Sequence, residues 1–141
     1  MDKGDRIPDP ANENLLDFSI PGVEPEHFKV FNTTYLLPNP GKLFEFGRNK
    51  FLSLQSTDSV LAASFLSRST QLSESLYPIR DALRKAEDLA NQSRAAKARS
   101  DASAHHHLRS GAFREERDAQ ARIHRAMHDF KELYALSQKG S

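Results

Sequence analysis

Residues 72–90, with the sequence LSESLYPIRDALRKAEDLA, form the stretch with the most regular apolar spacing. Its apolar side chains recur at steps of four, three, four, three and four residues, at Leu72, Leu76, Ile79, Leu83, Ala86 and Ala90. Such steps place the apolar groups along one stripe of an α-helix and are typical of a coiled-coil seam. The stretch therefore predicts a long amphipathic helix that pairs with another helix or with a partner.

Pro78 lies inside this seam. Proline lacks an amide donor, and its ring clashes with the preceding turn of a helix. We therefore expect one helix to end near Leu76, with Ser75 or Tyr77 at the cap, and another to begin with Pro78 in its first turn. A long helix that kinks at Pro78 is the alternative.

A second amphipathic helix is predicted from about Gly111 to Ser137. Its seam consists of Phe113, Ile123, Met127, Phe130 and Tyr134, is widened by Ala119, Ala126 and Leu133, and is interrupted by Glu116 and Gln120. Residues 100–110 are predicted to connect the two helices, which indicates an antiparallel hairpin. In that hairpin residues 76–89 would face residues 123–134.

Residues 27–56 are rich in aromatic and β-favouring side chains. Turn sequences separate the apolar runs at residues 28–31, 33–37, 42–46 and 51–54. This pattern predicts a small antiparallel β-meander of two or three strands packed on the helices, because an isolated hairpin is barely stable in water. The helical region then begins near Thr57, where Ser56, Thr57 and Asp58 offer capping oxygens.

Residues 1–26 are expected to form an extended, proline-rich arm. Six of the seven prolines precede residue 41, and each biases the residue before it toward extended backbone. The arm still carries several apolar residues, which a purely solvated tail would not need. We therefore expect residues 15–23 to dock on the chain's own helices or on a partner.

Composition limits the class of protein. The 141 residues suffice for one modest domain, 38% of them are hydrophobic, 28% are charged, and the mean hydropathy is −0.66. There is no cysteine, which excludes disulfides and thiolate chemistry. Without a signal-peptide pattern or an apolar run long enough to span a membrane, we expect a soluble intracellular protein, in the cytoplasm or within a particle.

No sequence motif indicates catalysis or a cofactor. The sequence has neither Gly-x-Ser-x-Gly nor a glycine-rich phosphate loop, so we expect a non-enzymatic protein without a cofactor. His124 and His128 share a helix face, and a ligand from residues 105–107 could complete a zinc site. Because Arg125 stands where the helical metalloprotease motif has glutamate, the histidines are interpreted as solvated surface residues, and no metal is assigned.

The expected function is architectural. We expect a structural or assembly protein, a homo-oligomer or a subunit of a multisubunit complex such as a virion or a scaffold. It would use the paired helices and the arm to contact protein partners. The interface residues would be Leu72, Leu76, Ile79, Leu83, Ile123, Met127, Phe130 and Tyr134, together with Leu15, Leu16 and Phe18 of the arm.

Nucleic-acid binding is the alternative function. Although the net charge is only +1, basic side chains are frequent in both helices and could follow phosphates if they faced one way. The candidate contacts are Arg94, Lys97, Arg99 and Arg109. Acidic residues alternate with the arginines of the second helix, and no aromatic platform accompanies them, so the architectural interpretation is preferred.

Overall fold

Three helices and a three-stranded sheet make up the part of the chain that the computed structural model describes, residues 15–139. The strands are β1 (Leu15–Asp17), β2 (Pro25–Val30) and β3 (Thr33–Pro38), and the helices are α1 (Pro40–Leu54), α2 (Ser59–Ala98) and α3 (Ala102–Lys139). The mainly helical fold class predicted from the sequence is confirmed.

The two longest helices, α2 and α3, lie side by side in opposite directions. Three contacts define their register from the turn to the open end: Ser93 with His105, Lys85 with Glu115, and Arg68 with Asp129. With 40 residues at about 1.5 Å each, α2 is about 60 Å long. The predicted helical hairpin is therefore present and sets the long axis of the molecule.

Helix α2 runs through Pro78 without a break, so the helix boundary predicted near Leu76 is wrong. Leu76 and Ile79, on either side of the proline, are completely buried, while Pro78 itself is exposed. An interior proline costs a helix about 3 kcal/mol. Burying each large aliphatic side chain contributes about 1.5–3 kcal/mol, so the continuous seam outweighs the proline.

We expect Pro78→Ala to raise the free energy of unfolding by about 2 kcal/mol. Removing an interior proline gains about 3 kcal/mol, of which up to about 1 kcal/mol is offset because proline also restricts the unfolded chain. Urea unfolding followed by circular dichroism measures the change. Gln71→Ala, at another exposed position of α2, is the control and should have little effect. An equal or lower stability for Pro78→Ala would contradict the expectation.

A turn of only three residues, 99–101, joins α2 to α3, so the longer connection predicted from the sequence is wrong. Ser100 has a φ of +60°. Its amide donates to the Lys97 carbonyl at 3.0 Å, and the Asp101 amide donates to the Ala96 carbonyl at 2.9 Å. This is a Schellman motif, which satisfies the last carbonyls of α2. The Asp101 carboxylate then caps α3.

The short turn also changes the predicted register of the hairpin. A Cβ added at Gly111 would lie 3.4 Å from Leu89 Cδ1, so these two residues are neighbours. Arg68 lies beside Asp129 and Glu132 near the open end. The segment 123–134 therefore faces the first half of α2, and not residues 76–89 as expected.

The buried stripe of α3 is narrow and regular. Its members follow at steps of four and three residues: Ala112, Glu116, Ala119, Ile123, Ala126, Phe130, Leu133 and Ser137. Phe113, Met127 and Tyr134 of the predicted seam flank this stripe and are only partly buried. Alanines on the stripe allow α2 to approach closely. Phe113 instead contacts the turn between β2 and β3, with its ring centroid 4.9 Å from that of Phe31.

Strands were expected at residues 42–46 and 51–54, but both segments belong to helix α1, so that part of the prediction is wrong. The Asn39 side chain accepts the Lys42 amide at 3.0 Å, and Pro40 follows in the first turn. These are the residue types that favour a helix start. Leu43 and Gly47 are buried at helical spacing, which explains why this segment is not a strand.

The sheet has the order β1-β3-β2. Strands β2 and β3 form the antiparallel hairpin that the sequence predicts, with Phe28 opposite Tyr35 and Val30 opposite Thr33. Strand β1 pairs in parallel with the other edge of β3. Three residues of the predicted arm thus form an edge strand, and the central strand is β3.

The arm docks on the chain's own helices after β1. Phe18, Ile20 and Val23 are buried, and the Phe18 ring centroid lies 5.5 Å from that of Phe130 in α3. The docking predicted for residues 15–23 is therefore intramolecular in this structure. The sheet covers the half of the hairpin near the turn and α1 covers the open half, so one continuous core joins β2, β3, the three helices and the segment that follows β1.

Candidate functional site

The predicted interface residues of the two seams meet inside the chain. Five of them are fully buried, Ile123 is 4% exposed, and Met127 and Tyr134 are partly buried against the same core; the fully buried ones are Leu72, Leu76, Ile79, Leu83 and Phe130. They form the contact between α2 and α3. In this structure the seam is therefore occupied by the chain's own helices.

The structure describes the proposed interface residues of the arm only in part. Phe18 is buried on α3, as described above. The backbones of Leu15 and Leu16 belong to β1, but their side chains lie outside the described part of the structure. Residues 1–14 of the predicted arm also lie outside it.

A buried polar network connects the sheet to α3. The Tyr35 hydroxyl donates to Glu116 Oε2 at 2.7 Å and accepts from Gln120 Nε2 at 3.0 Å. Tyr35 is completely buried and Glu116 is 9% exposed. Glu116 and Gln120 are the two residues that appeared to interrupt the second seam. Their role is to satisfy the hydroxyl of the central strand, which the sequence pattern alone did not show.

The electrostatics of this network favour a neutral tyrosine. Burial, and then the hydrogen bond to the Glu116 carboxylate, raise the pKa of Tyr35 well above its ordinary value. The phenol is thus held as a hydrogen-bond donor to a buried carboxylate. This arrangement fixes β3 on α3, and both the phenol and the carboxylate are buried, so we interpret it as structural.

Several basic residues of α2 bind the edge strand β2. Arg80 donates to Glu26 from Nε at 2.6 Å and from Nη2 at 3.2 Å, and Arg84 Nη2 lies 4.0 Å from the same carboxylate. Burial alone would raise the pKa of Glu26, but the hydrogen bonds and charge of Arg80 outweigh it and hold that pKa below its usual value. These arginines therefore have a structural partner within the chain.

Two further contacts from α2 satisfy the backbone of the β-hairpin. Glu87 Oε2 accepts the Lys29 amide at 2.8 Å, and Arg94 Nη2 donates to the Phe31 carbonyl at 3.0 Å. An edge strand otherwise presents unpaired amides and carbonyls to other chains. The polar face of α2 therefore protects this edge of the sheet.

The four residues proposed for nucleic-acid contact do not share one free surface. Arg94 binds the Phe31 carbonyl, Arg99 lies 4.0 Å from the Asp101 carboxylate, and the Arg109 guanidinium lies 4.8 Å from the centre of the Phe113 ring. Lys97 is exposed. Three of the four are thus engaged within the chain.

The histidines are spread along α3 and do not converge. Residues 105–107 are in the first turns of this helix, about 25 Å along its axis from His124, so they cannot share a metal with His124 and His128. Within residues 15–139, no group of three histidine, aspartate or glutamate side chains has the proximity needed to hold a metal ion. The zinc site considered from the sequence is therefore not assembled there.

Ser93 and His105 form a close pair beside the turn. Ser93 Oγ lies 2.9 Å from His105 Nδ1 and donates to the His105 carbonyl at 3.3 Å, and the same ring nitrogen lies 3.0 Å from the Ser93 carbonyl. A nucleophilic serine must reach a substrate, whereas Ser93 is completely buried. The pair therefore fastens the start of α3 to the end of α2.

A groove runs between α1 and residues 22–24, with a volume of about 630 Å³. Its rim is crossed by the ion pair between Lys42 Nζ and Glu24 Oε2 at 2.7 Å. Lys50 Nζ lies 5.8 Å from the centre of the Phe46 ring. The groove is open, and three of its four charged side chains, those of Glu24, Lys42 and Lys50, already have partners, so it offers no convergent chemistry.

Comparison of the chain with protein-family models, with curated proteins and with solved structures finds no match. None of the helices within residues 15–139 combines the length and apolar character that crossing a membrane requires.

Proposed function

We propose that the protein is a non-enzymatic structural or assembly subunit whose paired helices form a rigid spacer in a larger complex, such as a virion or a scaffold. The observation that carries the proposal is the unbroken burial along the hairpin. It extends from Ala62 to Ala96 on α2 and from Ala112 to Ser137 on α3. A two-helix rod packed over its whole length resists bending.

The dimensions support a spacer more than a compact binding domain. A globular domain of 141 residues has a radius of gyration of about 14 Å, which corresponds to a diameter of about 37 Å. Helix α2 alone is about 60 Å long. An elongated molecule separates its two ends and presents a large surface for its volume, and both properties suit a bridging subunit.

The free apolar surface lies near the open end of the hairpin. The large apolar side chains that are most exposed among the described residues are Phe44, Leu52, Val60 and Tyr77, with exposed fractions of 43%, 53%, 76% and 50%. Three of them fall between residues 44 and 60, on α1 and the first turn of α2. We propose self-association there, since the fully buried core of a protein interface is more apolar than the rest of the surface.

The test is the mass of the full-length protein by light scattering over a wide concentration range. We expect an oligomer whose mass changes little with salt, and its loss in Leu52→Asp/Val60→Asp. The matched control is Asn91→Asp/Gln92→Asp, which adds the same charge at two exposed positions of α2. A monomer at all concentrations, or equal loss in the control, would overturn self-association. A charge at a seam position such as Leu83 would not test self-association, because Leu83 is in the core of the single chain.

A further inference from the structure

The solvent-facing side of α3 carries a row of basic side chains, which we call the outer ridge. Its members are Arg114, Arg117, His124, Arg125, His128 and Lys131, and all six are exposed. At 3.6 residues per turn they fall within an arc of about 120°. The centre of this arc lies opposite the buried stripe of α3, so the outer ridge points directly away from α2.

The cations of the outer ridge are not used to hold the fold. Within residues 15–139, Arg114, Arg117, Arg125 and Lys131 have no hydrogen bond or ion pair with another side chain. By contrast, Arg80 and Arg94 of α2 bind groups of the sheet. The ridge therefore keeps four fixed positive charges available to a ligand.

One acidic residue of α3, Glu132, falls within the arc of the outer ridge, and Asp118 and Asp129 lie beside it; all three have partners in the chain. Asp118 accepts from Arg122 Nε at 3.0 Å, and the carboxylates of Asp129 and Glu132 lie 3.9 Å and 3.6 Å from the Arg68 guanidinium. Glu132 also lies 3.5 Å from His128 Nε2. The outer ridge thus carries four fixed cations and a single carboxylate, that of Glu132, which contacts Arg68 and His128.

We propose that the outer ridge binds the phosphodiester backbone of a nucleic acid. From residue 114 to residue 131 it extends for about 25 Å, a length that covers several consecutive phosphates. Three of its four fixed cations are arginines, whose planar guanidinium groups match phosphate oxygens in a bidentate geometry. This inference goes beyond the spacer role, and the two stand or fall separately.

The composition of the ridge favours a polyanion over a protein or a membrane. The buried core of a protein interface is apolar and depleted of charged residues, and interfacial helices insert aromatic or leucine side chains. The position at the centre of the ridge is Ala121, and the four large exposed apolar residues of the described chain all lie on α1 or α2. Charge alone must then supply the affinity, as it does in sequence-independent binding to nucleic acids.

The experiment is fluorescence anisotropy of a short labelled single-stranded RNA with the full-length protein. With about four phosphates neutralised, the slope of log affinity against log salt should be about −3. Arg114→Glu/Arg125→Glu should weaken binding at low salt at least tenfold and flatten that slope by about 1.4. The matched control is Arg48→Glu/Lys97→Glu, which makes the same charge change at exposed residues of α1 and α2 and should weaken binding less than threefold.

The outcomes separate the alternatives. Loss of RNA binding in the ridge variant alone, with an unchanged circular dichroism spectrum and unfolding midpoint, supports the proposal. No binding by the unaltered protein at about 50 mM salt, or equal loss in the control, overturns it. Ridge-dependent binding to vesicles of anionic phospholipid that is tighter than binding to RNA also overturns it, in favour of a membrane surface. None of these results bears on the oligomeric mass.

Discussion

Gly47→Ala is expected to lower the free energy of unfolding by about 3 kcal/mol, although alanine is the better helix former. A Cβ at residue 47 would overlap the Ser69 side chain and lie 3.0 Å from the Phe65 carbonyl oxygen. Alanine gains about 1 kcal/mol of helix propensity. Forcing two packed helices apart costs more than that, because the α1–α2 contact has no empty space to absorb the methyl group. Urea unfolding of the full-length protein measures the difference.

A double-mutant cycle tests whether the overlap is the cause. Ser69→Gly removes the Cβ that the new methyl group would meet, and alone should cost only about 0.5 kcal/mol of helix propensity. Gly47→Ala/Ser69→Gly should therefore recover most of the stability lost in Gly47→Ala, with a coupling energy above about 1 kcal/mol. Additive losses in the double variant would show that the α1–α2 contact tolerates the methyl group and that our explanation is wrong.

The sequence predicts the hairpin well because the apolar spacing that indicates each helix recurs over several turns. The apolar stripe of α2 recurs over five steps, so one unfavourable residue, Pro78, does not change the outcome. The break predicted at Pro78 rested only on the free-energy cost of a proline inside a helix. It omitted the burial of Leu76 and Ile79 on the same face, which comes from packing on α3 and is not a local property.

Helix α1 and the turn were harder to predict for a different reason. The segment from Leu43 to Leu54 is short and aromatic, and such runs suit a strand or a helix equally well. Asn39 followed by Pro40 was the available signal for a helix start. At the turn, the left-handed position is occupied by Ser100 in place of the usual glycine, so the polar and histidine-rich residues after it resembled a loop.

The candidate site could be predicted only in part. The sequence shows that arginine is frequent in α3. Which of these arginines lie on the outer ridge, and which pair with other groups of the chain, depends on where the buried stripe of the helix lies. That stripe includes Glu116, a charged residue that would not be assigned to a buried stripe from hydrophobic spacing alone. Its burial is explained only by Tyr35, 81 residues away along the chain. Long-range polar pairing of this kind leaves no periodic signal.

Tyr35→Phe is expected to lower the free energy of unfolding by about 3 kcal/mol at neutral pH. The variant keeps the ring but removes the hydroxyl that donates to Glu116 at 2.7 Å and accepts from Gln120. The buried Glu116 carboxylate would then lack its donor, and an unsatisfied buried charge costs more than the hydrogen bond itself contributes. Tyr77→Phe, at a tyrosine that is 50% exposed, is the matched control and should change stability by less than about 0.5 kcal/mol.

The dependence on pH distinguishes this network from simple packing. The folded protein raises the pKa of Tyr35, so above about pH 10 the phenol ionises in the unfolded chain while it stays protonated in the folded one. The unfolded state then binds fewer protons, and stability falls as pH rises, by up to about 1.4 kcal/mol per pH unit for this group. Tyr35→Phe lacks this contribution. The stability difference between the unaltered protein and the variant should therefore be constant from about pH 7 to about pH 10 and shrink above it, measured by urea unfolding at each pH. A difference that stays constant through pH 11 would mean that Tyr35 is not held neutral by burial and Glu116.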